Sequence, residues 1–214
     1  MLVKICGITS PETAVACLEA GADMIGLVYY PQSSRHVEAA QMHKILDAVQ
    51  EYNGLTCNSR SVLVVVDQLP DEEIVLRFTL LQPYGKVRHD VSIPQMRVVK
   101  DFGTFTHLLE SPHLELPHLK SSARSEDYHV LEMSTGLLPG GNGVAWDWSA
   151  AKPFCERYPT LIAGGITPEN VAEVIRQASP LGIDVSSGVE SVPGVKDKDK
   201  VQRLMENVHA LTIR

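Results

Sequence analysis

The chain has 214 residues, 44% of them hydrophobic and 21% charged, which suits one globular α/β domain spanning 1–214. A net charge of −7 with no lysine or arginine cluster argues against a nucleic-acid surface, and the absence of a transmembrane-length apolar run or a signal-peptide pattern argues against membrane insertion or export. Cys6, Cys17, Cys57 and Cys155 show no CxxC spacing, which points to reduced thiols in a cytoplasm rather than a disulfide frame or a zinc site.

The chain opens on LVKICGIT at residues 2–9, a short apolar run that ends on Cys6 and a glycine. Alternation puts Lys4 and Cys6 on one strand face and Val3 and Ile5 on the other. Ser10 and Pro11 read as N-cap and first residue of a helix that stops at Gly21. The start of that helix beside Cys6 is expected to favour the thiolate. A second strand spans Asp23–Tyr30, and the loop PQSSRH after it carries Arg35, whose planar fork suits a carboxylate or phosphate. A helix follows over 37–51. SVLVVV at 61–66 is β-branched throughout and reads as a buried strand. A short helix over 70–77 and a strand over 79–82 come next, then a strand over 96–100.

Residues 83–95 and 103–127 show weak periodicity. Their histidines, His89, His107, His113 and His118, have no ligand spacing and read as surface residues. YHVLEM at 128–133 is a sixth strand, with Glu132 near its end on the face of Tyr128 and Val130. A carboxylate there suits a catalytic rim better than a buried strand. The glycine-rich stretch LLPGGNGVAWDW precedes a helix from about Asp147 and suits either a lid or a plain loop.

The strand over 160–163 ends in Gly164-Gly165, and Thr167 and Pro168 open a helix to about Ala178. The next strand, at 182–185, runs into Ser186-Ser187-Gly188. Small-residue turns after the last two strands are how an eight-stranded barrel binds phosphate through backbone amides. Residues 197–210 close the chain as a helix. CGITSPETA near the start is echoed by GGITPENVA near the end, a sign of repeated β/α units. Eight strand candidates separated by helices or loops predict a single-domain (β/α)8 TIM barrel with a closed parallel sheet.

KICGIT, GAD, Pro-x-Ser-x-Arg, GGNG before DW, AGGITPENV, DVSSGVE and PGVKD occur in this order, and together they resemble phosphoribosylanthranilate isomerase of tryptophan biosynthesis. The resemblance is close over 2–36 and 140–197. It implies an aldose-ketose isomerase that needs no cofactor or metal and acts on a small phosphorylated substrate, as a monomer or homodimer. The implied reaction is the Amadori rearrangement of N-(5-phosphoribosyl)anthranilate to 1-(2-carboxyphenylamino)-1-deoxyribulose 5-phosphate. An acid protonates the furanose oxygen and a base takes the C2′ proton.

On this resemblance the base is Cys6 and the acid falls on Glu132, where the family carries aspartate. Ungapped counting back from GGNG lands on Met133, which cannot transfer a proton, and Asp127 lies at the wrong end of the strand. Arg35 matches the clamp on the anthranilate carboxylate and Asp184 a contact to the substrate amine. Gly164, Gly165, Ser187 and Gly188 match the phosphate cradle. The middle departs from the family: Gln82-Pro83-Tyr84-Gly85 stands where Gln-Leu-His-Gly is usual, Asp67 replaces an asparagine, and little beyond Lys100 is kept in 86–127. Two other readings fit such a drifted middle: a phosphosugar-binding barrel that has lost catalysis, or a related phosphosugar barrel enzyme.

Overall fold

The architecture comes from a computed structural model, which describes residues 1–55, 59–85, 87, 92–100, 104, 106–107, 128–133 and 145–212. Eight parallel strands form one sheet: β1 (Leu2–Cys6), β2 (Met24–Tyr29), β3 (Arg60–Val66), β4 (Leu80–Tyr84), β5 (Arg97–Val99), β6 (His129–Leu131), β7 (Thr160–Ala163) and β8 (Gly182–Val185). Their order, β4-β3-β2-β1-β8-β7-β6-β5, makes the first and last strands central neighbours. The sheet closes on itself where Leu81 of β4 bridges Gln95 ahead of β5. There Leu81 N donates to Pro94 O at 2.9 Å and Met96 N to Leu81 O at 2.7 Å. Peptide groups two apart in a strand face the same neighbour, so Pro83 would also face β5, and it has no N–H to give. That limits the seam.

Among the described residues the helices include α1 (Pro11–Glu19), α2 (Ala39–Leu55), α3 (Glu72–Val75), α4 (Lys152–Cys155), α5 (Val171–Ala178) and α6 (Lys198–Thr212). A small antiparallel hairpin, β9 (Glu190–Val192) with β10 (Val195–Lys196), follows β8. Strand alternation sorts the apolar residues into two layers. Val3 and Ile5, Ile25 and Leu27, Leu63 and Val65 face outward against the helices, while Met24, Val28, Val64, Leu80, Val130 and Leu161 fill the barrel. From β1 the interior receives Lys4 and Cys6, so the opening strand sends chemistry inward rather than hydrocarbon. Among the described residues no helix is long and apolar enough to cross a membrane.

All eight expected strands are present, with ends moved by one or two residues. The cap at Ser10 is formed, its hydroxyl accepting from Thr13 N at 3.2 Å, and Gly21 follows the end of α1 with φ +105. Several helix starts differ from expectation, among them α3, which begins at Glu72 rather than at 70. α5 begins at Val171, because Asn170 accepts from Thr167 N and donates to Gly165 O, both at 2.8 Å, and so holds 167–170 as a turn. α2 begins at Ala39, because Val37 N is still bonded to Val28 O beside β2. The segment after Asp147 is a 3-10 turn, Trp148–Ala151, before α4. The glycine-rich loop through GGNG, Asp127, Cys57, His89, His113 and His118 lie outside the described residues.

Candidate active site

A cavity opens at the carboxyl ends of the strands. Cys6 from β1, Arg35 from the loop after β2, Tyr84 from β4, Glu132 after β6 and Asp184 from β8 all line it. Gly164, Gly165, Ser187 and Gly188 form another part of the same wall. Every residue singled out as a site candidate from the sequence therefore borders one space. Met133 is buried in the outer layer with the helix-facing residues and not at this cavity. Among the described residues no three His, Cys, Asp or Glu side chains are grouped to hold a metal ion.

β1 places its thiol beside two charges. Lys4 is 0% exposed, and its Nζ donates to both Asp184 carboxylate oxygens, at 2.9 and 2.8 Å. Burial is the largest influence on the Lys4 ammonium and works against it, but Asp184 and Cys6, through charge and hydrogen bonding together, hold the lysine above its ordinary range. The Cys6 thiol is pushed up by burial, while Lys4 pulls it down and Asp184 works with burial. Burial therefore works against the thiolate expected at the start of α1, and Lys4 and Lys196 act against that burial. Gly26 pairs with Cys6 across the sheet, and a Cβ there would meet Cys6 Sγ at 2.9 Å. The thiol needs that space.

Arg35 is buried against a second carboxylate. Its Nε and Nη2 donate to Glu190 at 2.8 and 2.7 Å, a bidentate pair that raises the arginine further above its ordinary value. Glu190 also accepts from Lys196 Nζ at 2.6 Å, and the β9–β10 register sets these two residues opposite each other. Burial alone would raise the Glu190 carboxyl, but Arg35 and Lys196 together hold it below the usual range. Burial also lowers Lys196, against the pull of Glu190, and its ammonium reaches Ser186 O at 3.1 Å and acts on Cys6. Gly7 has φ +79, and a Cβ there would meet Arg35 Cδ at 2.5 Å, so only glycine allows the arginine to cross the end of β1.

The far wall is built differently. Glu132 is 3% exposed and accepts from the Tyr84 hydroxyl at 3.0 Å. Tyr84 in turn accepts from Gln82 Nε2 at 3.0 Å. Lys100 Nζ lies 5.1 Å from the Tyr84 ring centroid. At the cradle, Gly164 and Gly165 have φ of +90 and +69. A Cβ on Gly188 would lie 1.8 Å from Ile166 O, so the two turns after β7 and β8 can meet only without a side chain there.

Sequence reasoning passed over Glu190 and Lys196. Both stand in quoted motifs, SSGVE and PGVKD, and a glutamate and a lysine on either side of a Pro-Gly turn were signal enough for a hairpin ion pair. It also gave no role to Lys4 or Tyr84.

The sequence pattern of the family described as N-(5'-phosphoribosyl)anthranilate (PRA) isomerase matches residues 3–207. An N-(5'-phosphoribosyl)anthranilate isomerase of Trichlorobacter lovleyi is 37% identical over 214 aligned residues, covering 96% of each chain. The crystal structure of phosphoribosyl anthranilate isomerase from Thermotoga maritima superposes with a TM-score of 0.76 at 26% identity, over 98% of this chain and 99% of that one. A structure of the same kind of enzyme in complex with reduced 1-(o-carboxyphenylamino)-1-deoxyribulose 5-phosphate gives a TM-score of 0.72 at 26% identity, with the same coverage.

Proposed function

The chain belongs to the N-(5'-phosphoribosyl)anthranilate isomerase family, and from that premise we propose how its own residues perform the reaction. It is an aldose-ketose isomerase of tryptophan biosynthesis, rearranging N-(5-phosphoribosyl)anthranilate to 1-(2-carboxyphenylamino)-1-deoxyribulose 5-phosphate. We assign it to the cytoplasm.

The observation that carries the residue assignment is that a thiol and a carboxyl, from β1 and the end of β6, face one cavity whose wall includes the two glycine turns. The phosphate sits against Gly165 and Gly188, with Gly164 and Ser187 beside them, where amides supply donors without a charged side chain. Arg35 receives the anthranilate carboxylate, since Nη1 is not used in the pair with Glu190. This anchors the substrate at both ends and leaves the ribose between Cys6 and Glu132.

Glu132 protonates the furanose oxygen as the C1′–O bond breaks, giving an open-chain imine. Cys6, as thiolate, removes the C2′ proton and the electron pair shifts to give the enolamine. Tautomerisation of that enol yields the ketone. Lys4 and Lys196 stabilise the thiolate that this step needs. Asp184, paired with Lys4, meets the amine nitrogen of the substrate as it gains positive charge.

The test is a fluorescence assay that follows loss of phosphoribosylanthranilate generated in situ. The chain should consume it, and Glu132→Gln should lower kcat by about 10²–10⁴, the usual worth of a positioned acid. Unchanged turnover in Glu132→Gln would remove that residue from the mechanism.

A further inference from the structure

Glu132 raises a problem of geometry. A glutamate carboxyl has one more rotatable bond than an aspartate carboxyl, and a general acid must hold its proton in line with the accepting oxygen. We propose that Tyr84 is the positioning residue for Glu132: its hydroxyl, aligned by Gln82, fixes the carboxyl through Oε2 so that the acid keeps one orientation as its proton comes and goes. The inference rests on the reading of Glu132 as the acid, and it deepens that reading.

Three observations support it. The three groups form a directed chain, Gln82 Nε2 to the Tyr84 oxygen at 3.0 Å and the Tyr84 hydroxyl to Glu132 Oε2 at 3.0 Å. Since the phenol oxygen accepts from the amide, its one hydrogen is directed at the carboxyl, and linked bonds of this kind polarise one another. Second, the framework is buried. Gln82 is 0% exposed and Tyr84 7%, both on β4, and Lys100 Nζ lies 5.1 Å from the ring centroid. Third, the donor is neutral. Burial, with the Glu132 charge adding to it, keeps the phenol protonated far above its ordinary value. An arginine would favour only the ionised carboxylate. A phenol can donate to a carboxylate oxygen and equally to the carbonyl oxygen of the protonated acid, so it holds the group before and after proton transfer.

The experiment combines Tyr84→Phe, Glu132→Asp and Glu132→Gln with the double variant Tyr84→Phe/Glu132→Asp, each assayed for kcat and KM. Tyr84→Phe should lower kcat roughly ten- to a hundredfold with KM within about twofold, as expected for loss of a hydrogen bond to an ionisable group. Aspartate still supplies an acid but is one methylene too short for the hydroxyl, so Tyr84→Phe should cost less than about threefold in the Glu132→Asp background. Equal losses in both backgrounds, a change confined to KM, or no loss in Tyr84→Phe would each overturn the proposal. Gln82→Leu, which removes the aligning amide but leaves the phenol, provides a second route should Tyr84→Phe not fold, with a smaller kcat loss expected and no loss counting against the proposal. If Glu132→Gln keeps full turnover, the acid assignment itself falls. If Glu132→Gln collapses while Tyr84→Phe does not, only the positioning role falls.

Discussion

The two walls of the cavity hold their reactive groups by opposite means. Around Cys6 the protein sets Lys4, Asp184, Lys196, Glu190 and Arg35, joined by ion pairs of 2.6–2.9 Å. At Glu132 a neutral phenol backed by a neutral amide donates to the carboxyl, and Lys100 interacts with its charge. The difference follows from what each group must do. Loss of water and the Asp184 carboxylate both push the Cys6 thiol up, so the base needs cations to offset them. A carboxyl that must carry a proton is poorly served by a cation at the same distance, because a cation favours the ionised form.

The largest expected effect is on stability at the thiol wall. Lys4→Met leaves Asp184 buried without its ammonium, and should cost about 3–5 kcal/mol in urea unfolding, the usual penalty for breaking a buried pair. A cost near zero would mean that the pair is not what holds this wall. Next, Arg35→Ala should raise KM for phosphoribosylanthranilate about ten- to a hundredfold, the value of hydrogen bonds to a charged group. An unchanged KM and kcat would reject the carboxylate clamp. The smallest effect is electrostatic. Lys196 favours the Cys6 thiolate, so Lys196→Met should raise the thiol further, and the pH profile of its alkylation by iodoacetamide, followed on the Cys6 peptide, should move to higher pH. A profile that stayed in place would leave Lys4 as the sole cation of consequence.

The same contrast explains how far the chain could be read in advance. β1, the turns after β7 and β8, and the loop of Arg35 carry short-range signals: a strand ending on Cys6, a GG turn, an SSG turn, an arginine after a Pro-x-Ser. Local alternation and turn chemistry were enough to place them. The helix at 168 was read three residues early, because capping by Thr167 competes with the Asn170 side chain that closes the turn, and only the folded backbone decides between them. The ion-pair network was hidden for another reason. Arg35 and Glu190 are 155 positions apart and Lys4 and Asp184 are 180 apart, so no local pattern links them. Tyr84 was visible only as a departure from the family, since its bond to Glu132 spans 48 positions. The helix-dipole argument for the Cys6 thiolate left out burial, which pushes the thiol up, and Lys4 and Lys196, which pull it down.

The central claim is that Cys6 and Glu132 transfer protons to and from one substrate across this cavity. Turnover of phosphoribosylanthranilate by Cys6→Ala, measured beside the parent chain in the fluorescence assay, tests it most directly. The account predicts a fall in kcat of about 10²–10⁴ with the variant still folded and still binding the phosphorylated substrate. An undiminished kcat would contradict it, because no thiol would then be needed to take the C2′ proton.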